Sequence, residues 1–149
     1  MSVQLPANPG TYILILYLSR GTRINVGRLG GLNFRRGWYA YVGSAFGPGG
    51  LAARIGRHLR VEKKHRWHID YLRAAADVRW IWYSTAEVSR EHIWAEVLAE
   101  EKGLPVLGFG CSDCRCPAHL FFFSRQPKEI RNLLNEDLQS ITIKRGPKR

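Results

Sequence analysis

Arg54 and His58 stand one helical turn apart in the segment Leu51 to Arg60, where Leu51, Ile55 and Leu59 recur every fourth residue. That recurrence marks a buried helical stripe, and at about 100° per residue the guanidinium and the imidazole sit side by side on its border, while Arg57 and Arg60 point outward. A border side chain is anchored by the core yet reaches solvent, so the pair is suited to holding an anion and moving a proton. The surrounding charge points to phosphate as that anion. Leu51 to His68 carries Arg54, Arg57, Arg60, Lys63, Lys64 and Arg66 against Glu62 alone, a net charge of +5. Such a run tracks a polyanion, and it is also what a solvated helix face looks like. His68, two residues before Asp70, fits a second phosphate contact, a proton relay or a local hydrogen-bonded support.

Tyr12 and Tyr41 lie in strand-forming surroundings, and taken alone each reads as a core aromatic with its hydroxyl at the rim. Trp67, Trp80, Trp82 and Trp94 read as core residues. Cys111, Cys114, Cys116 and His119 offer three thiols and an imidazole, a legitimate tetrahedral set for Zn²⁺. All four fall within nine residues, however, whereas structural sites usually pair two knuckles separated by a dozen or more. Small cysteines packing a buried loop are the simpler reading.

The elements that must position these groups can be read from periodicity and breakers. Thr11 to Leu18 is apolar without polar interruption, which suits a strand buried on both faces. After a turn at Arg20-Gly21, Arg23 to Val26 returns as a second antiparallel strand and Trp38 to Val42 as a third. Gly27 to Gly37 between them, with four glycines and three arginines, reads as a loop or loose hairpin. Gly47-Pro48-Gly49-Gly50 launches the Leu51 to Arg60 helix. Trp67 to Ala76 follows as a helical piece, Val78 to Ser84 as a strand, and Ser89 to Lys102 as a helix capped by Ser89. Leu104 to Pro117 is a loop, His119 to Ser124 a strand, and Pro127 to Leu138 a last helix.

The chain has 149 residues, enough for a single domain with one core, and 45% of them are hydrophobic. The unusual quantity is charge: 23 Lys and Arg against 12 Asp and Glu give +11. This favours a nucleic acid partner, DNA or RNA; a merely soluble or ribosome-associated basic protein is the plainer alternative. Met1 to Gly10 lacks a secretory pattern, and the longest apolar run, Ile13 to Leu18, is far below the ~20 residues that span a bilayer. With its cysteines clustered rather than spread as a disulfide framework, the chain is expected in a reducing cytoplasm, away from membranes. The oligomeric state is left open.

Gly10-Thr11-Tyr12 and Tyr41-Val42-Gly43, followed by Arg54 and His58, resemble the signature of the GIY-YIG nucleases, with Thr and Val in place of the two isoleucines. Tyr41-Val42-Gly43-Ser44-Ala45, Gly49-Gly50-Leu51, His58-Leu59-Arg60, Trp67-His68-Ile69-Asp70-Tyr71-Leu72, Gly108-Phe109-Gly110, Ser112-Asp113-Cys114, Cys116 and His119-Leu120-Phe121 are similar to the small stand-alone URI branch of that superfamily. The likeness runs from residue 10 to 124, and it implies an α+β fold, a three-stranded antiparallel sheet flanked by helices, with the glycine-rich hairpin inserted between the first strands. The domain so implied covers residues 10–138, after an extension at 1–9 and before a basic tail at 139–149. The resemblance also implies an endonuclease that hydrolyses phosphodiesters in DNA with Mg²⁺ or Mn²⁺. Tyr12 would help to activate the nucleophile, Tyr41 would orient it, Arg54 would hold the scissile phosphate and His58 would carry a proton. Arg57, Arg60, Lys63, Lys64, Arg66 and His68 would follow the nucleic acid. Glu91 is the preferred metal ligand and Glu96 the second choice, since Glu91 matches the URI acidic position and Glu96 the usual distance to Pro105. The asparagine that often follows this helix in the superfamily has no counterpart near Pro105. A binding module that keeps the fold without hydrolysis, with zinc at the cysteine loop, is the alternative.

Overall fold

The computed structural model describes residues 4–60, 62–110, 118–134 and 137–143. Its first strand, β1 (Gly10–Leu18), is buried throughout except at half-buried Tyr17, because it lies inside the sheet with both faces covered. The chain then forms a small hairpin, β2 (Thr22–Asn25) and β3 (Gly31–Phe34), joined by a 3-10 turn at Gly27–Leu29. It continues through β4 (Gly37–Ala45), α1 (Gly50–Leu59), α2 (His68–Arg73), β5 (Asp77–Ser84) and α3 (Glu91–Glu100). It closes with β6 (Leu104–Pro105), β7 (Leu120–Phe123), α4 (Arg131–Leu134) and β8 (Gln139–Thr142).

The main sheet has six strands in the order β6-β7-β4-β1-β5-β8, every neighbour antiparallel. The expected three-stranded sheet is therefore corrected. β2 does not return against β1 but pairs with β3 in a sheet of its own, and β1 instead takes β4 and β5 as neighbours. Residues 139–142, read as tail, pair with β5 as an edge strand. Among the described residues of the expected helix over 127–138, a 3-10 turn at Lys128–Ile130 and the four residues of α4 are helical.

Alternation along β1 divides the core in two. Tyr12, Leu14, Leu16 and Leu18 face a cluster with Leu51 and Ile55 of α1, Ile69 and Leu72 of α2, and Val26 and Phe34 of the hairpin. Ile13 and Ile15 face the opposite way, onto Trp94, Ala95 and Leu98 of α3 with Ile130 and Leu134. The result is a sheet between two helical layers. Gly50, at φ 57°, has no Cβ to block the backbone at residues 7–8. The carbonyls of Pro6 and Asn8 accordingly accept the Ala52 and Leu51 amides at 2.8 and 2.9 Å, satisfying N–H groups that the start of α1 leaves unpaired. No helix among the described residues is long and apolar enough to cross a membrane.

Candidate active site

The two tyrosine tripeptides meet across the β1–β4 ladder, where Tyr12 is registered opposite Gly43 and Leu14 opposite Tyr41. Both tyrosines therefore point to the α1 side of the sheet. The Tyr12 ring lies over Gly43 so closely that a Cβ added there would sit 2.5 Å from its hydroxyl. The glycine of the second tripeptide is thus the seat of the tyrosine of the first.

α1 crosses above this seat. His58 is fully buried rather than at a solvent border, and its Nε2 lies 2.6 Å from the Tyr12 hydroxyl. Its Nδ1 is buried with no partner among the described residues. Burial, with help from Lys63, lowers the His58 pKa to about 3, so the imidazole is neutral. Burial likewise raises the Tyr12 pKa well above its ordinary value; Tyr41 and Glu91 push the same way and Arg54 opposes them. Arg54 lies beside Tyr12, and its guanidinium carbon is 4.5 Å from the centre of the Trp67 ring. Trp67, expected in the core, in fact lines the pocket.

Glu91 enters from the other side, on the first turn of α3. Ser89 Oγ accepts the Glu91 amide at 3.4 Å and Thr11 Oγ1 accepts the Arg90 amide at 3.0 Å, which ties the start of the helix to β1. One oxygen of the Glu91 carboxylate is 2.7 Å from His119 Nδ1, and Ser44 also hydrogen-bonds it. Burial alone would raise its pKa, but the bonds from His119 and Ser44 outweigh that and hold Glu91 ionised below the usual range. His119 is itself fixed by backbone bonds, its N–H to Phe109 O and its carbonyl from Val42 N–H, both 2.9 Å. His119 Nδ1 thus holds Glu91; Cys111, Cys114 and Cys116, considered with His119 for zinc, lie outside the described residues.

Tyr12, Tyr41, Arg54 and Glu91 thus line one open, polar cavity of about 420 Å³, with Ser44, Arg66, Trp67, His68, His92 and His119 around them. His58 stands behind Tyr12. Glu96 is exposed on α3 and does not line the cavity, which separates it from Glu91. The chain matches the model of a family described as domain of unknown function DUF123 over residues 11–142. It belongs to the DUF123 family. No curated protein and no solved structure matches it.

Two of the basic residues expected to follow a polyanion do something else in this DUF123 chain. Arg57 makes a two-pronged ion pair with buried Asp70, at 2.8 and 2.9 Å, and Lys63 turns inward to the carbonyls of Arg57 and His58. Trp67 and Asp70 meet the side of α1 that a helical wheel assigns to solvent, which is why Arg57 is not free. Arg66 and His68 do reach the cavity, with His68 Nδ1 accepting the Gly110 amide at 2.8 Å, and Arg60 and Lys64 are exposed. No group of three or more His, Cys, Asp or Glu able to hold a metal ion occurs among the described residues. Glu91 is the carboxylate on the cavity wall; one ionised oxygen ligand suits a hard cation such as Mg²⁺, which keeps several waters and shares the phosphate's oxygens. Of the groups that fix that carboxylate, the sequence singled out His119 only as a possible zinc ligand, and Ser44 was missed as a site residue. The available signal for His119 was weak: a polar residue directly before the apolar run of β7.

Proposed function

We propose that this chain is a divalent-metal-dependent endonuclease of the GIY-YIG type, acting on phosphodiester bonds in DNA. The observation that carries the reading is the convergence of Tyr12, Tyr41, Arg54 and Glu91, from four different elements, on one open cavity with His58 bonded to Tyr12.

Hydrolysis requires in-line attack by an activated water, charge stabilisation on the phosphoryl oxygens and a proton for the leaving oxygen. Arg54, stacked on Trp67, offers a pre-set fork for the scissile phosphate. The attacking water gives a proton to Tyr12 Oη as the Tyr12 proton passes to His58 Nε2, 2.6 Å away. The resulting imidazolium is short-lived, since burial disfavours it, and its proton returns through Tyr12 to the leaving oxygen or to solvent. Tyr41 orients the water. When bound at Glu91, Mg²⁺ or Mn²⁺ supplies Lewis-acid stabilisation of the developing charge.

A nicking assay tests this, using supercoiled plasmid and labelled single-stranded and branched DNA with Mg²⁺ or Mn²⁺ against EDTA. Cleavage is expected with metal and lost in Tyr12→Phe, Arg54→Ala and Glu91→Ala, by about 10²-fold or more for each. Full activity in all three variants overturns the assignment, and metal-independent binding without any strand breaks supports the non-hydrolytic module instead.

A further inference from the structure

The inserted hairpin β2–β3 is two-faced. On its inner face Ile24 pairs with Leu32 and Thr22 with Phe34, and Ile24, Leu32 and Phe34 pack on the core. On its outer face Arg23 pairs with Asn33 and Asn25 with Gly31, all polar or small. Arg20 precedes the hairpin, Arg28 sits at its 3-10 tip, and Arg35 and Arg36 follow it; all five arginines are exposed. None is ion-paired with a carboxylate among the described residues. None could be locally, because the first acidic residue of the chain is Glu62. Arg23 donates to Asn33 Oδ1 at 3.4 Å, Arg36 donates to the Tyr17 hydroxyl at 3.1 Å and Arg35 lies over the Phe122 ring, but none of these partners balances the charge, so the concentration of five arginines points to an anionic partner.

The hairpin also sits in a position to extend the site. Its tip abuts the two segments that wall the cavity. Gly27 lies against the Tyr71 ring of α2, and Leu29 against Gly108, two residues before the cavity-lining Gly110. Phe34 meets the edge of Phe109, whose ring in turn contacts Tyr41 and His68. The arginine face therefore begins where the cavity wall ends. Four extended residues span about 13 Å, enough for neighbouring phosphates on a nucleic acid strand to meet Arg20, Arg23 and Arg28 in turn.

We propose that the β2–β3 hairpin is an arginine arm that grips the phosphate backbone of a DNA duplex flanking the cleavage site. This rests on the reading of the cavity as a nuclease site, but it is measured through binding alone. The test is fluorescence anisotropy of a labelled duplex with the full chain carrying Glu91→Ala, in EDTA, across a KCl series. Arg20→Gln/Arg23→Gln/Arg28→Gln is compared with Lys102→Gln/Arg125→Gln/Arg131→Gln, which removes the same charge from exposed positions outside the hairpin. Each lost phosphate contact lowers the slope of log K against log [salt] by about 0.9, so the hairpin variant should lose about 2 to 3 units and on the order of 10-fold or more in affinity. The control triple should lose far less, and both variants should melt like the parent. Equal losses in the two variants, an unchanged slope, no duplex binding even at low salt, or a loss confined to RNA each overturn the proposal. A chain that cuts nothing yet shows the hairpin-specific slope loss keeps the arm and discards the nuclease; the reverse result discards only the arm.

Discussion

His58 is the residue at which chemistry and stability are most tightly joined. A neutral, fully buried imidazole next to the Tyr12 hydroxyl is ready to take a proton, and the burial that keeps it neutral makes the native state acid-sensitive. Its folded pKa, about 3, lies below the ordinary 6.5, so below pH 6.5 the unfolded chain binds a proton that the native chain refuses. Stability is therefore full above pH 6.5 and falls as the pH drops toward 3, by at most about 1.4 kcal/mol per unit. His68, also lowered by burial, adds to the same slope, whereas Asp70, held at about 2, loses its contribution only below its ordinary value of 3.8. Urea titrations of the native chain between roughly pH 7 and pH 4.5 should thus show a steep loss that His58→Gln flattens. Parallel curves for the two proteins would mean that the native state takes up the proton without cost. Arg54 and His58 were legible in the sequence as neighbours on a helix, because the spacing of four between them forces it. The depth of His58 was not, since it depends on Trp67, at the start of the next element, lying against it.

At the scale of elements, the joint between α1 and α2 is an ion pair with its hydrogen bonds complete. Asp70 has no exposed surface; it accepts both Arg57 nitrogens and the amides of Arg66 and Trp67, all between 2.8 and 2.9 Å. Those two amides belong to the start of α2, so one carboxylate caps the helix and binds its neighbour. Removing only the charge, in Asp70→Asn, leaves a guanidinium that is mostly buried facing a neutral amide, and about 3 kcal/mol of stability should be lost. Thermal melting checks this, and a melting temperature within a few degrees of the parent would reduce the pair to a surface contact. Adding Arg57→Met to Asp70→Asn should recover part of the loss, because the stranded cation is then gone. The basic run read from the sequence was correct as composition and incomplete as function. Arg60 faces outward as the helical wheel predicts, and Lys64 and Arg66 are exposed in the segment after α1, whereas Arg57 and Lys63 are drawn in by a carboxylate in the next element, which α1 periodicity alone cannot reveal.

For the molecule as a whole, the sheet explains which parts of the chain were readable. β1, β4 and β5 are long and apolar enough to announce themselves, and they form the centre. The edges β6 and β8 do not, since Leu104–Pro105 is two residues and Gln139–Thr142 has a single apolar side chain. Edge strands are typically short and polar for a physical reason: one that looked like β1 would invite other chains to pair with it. β8 nonetheless closes the β5 side of the sheet, pairing Trp80 with Thr142 and Trp82 with Ser140, while Ile141 and Ile143 pack against the core. A chain ended at Leu138 would leave β5, with Trp80, Ile81 and Trp82, as a bare eight-residue edge. Such a truncation should melt at lower temperature and self-associate in a concentration-dependent way, because an exposed apolar edge offers a ladder of unpaired N–H and C=O groups to a second copy. Sedimentation velocity measures this directly. A truncated chain that sediments as the full-length protein does and melts at the same temperature would show that β8 is dispensable, and that the strongly apolar β5 is guarded by α4 and the helical layer rather than by its edge partner.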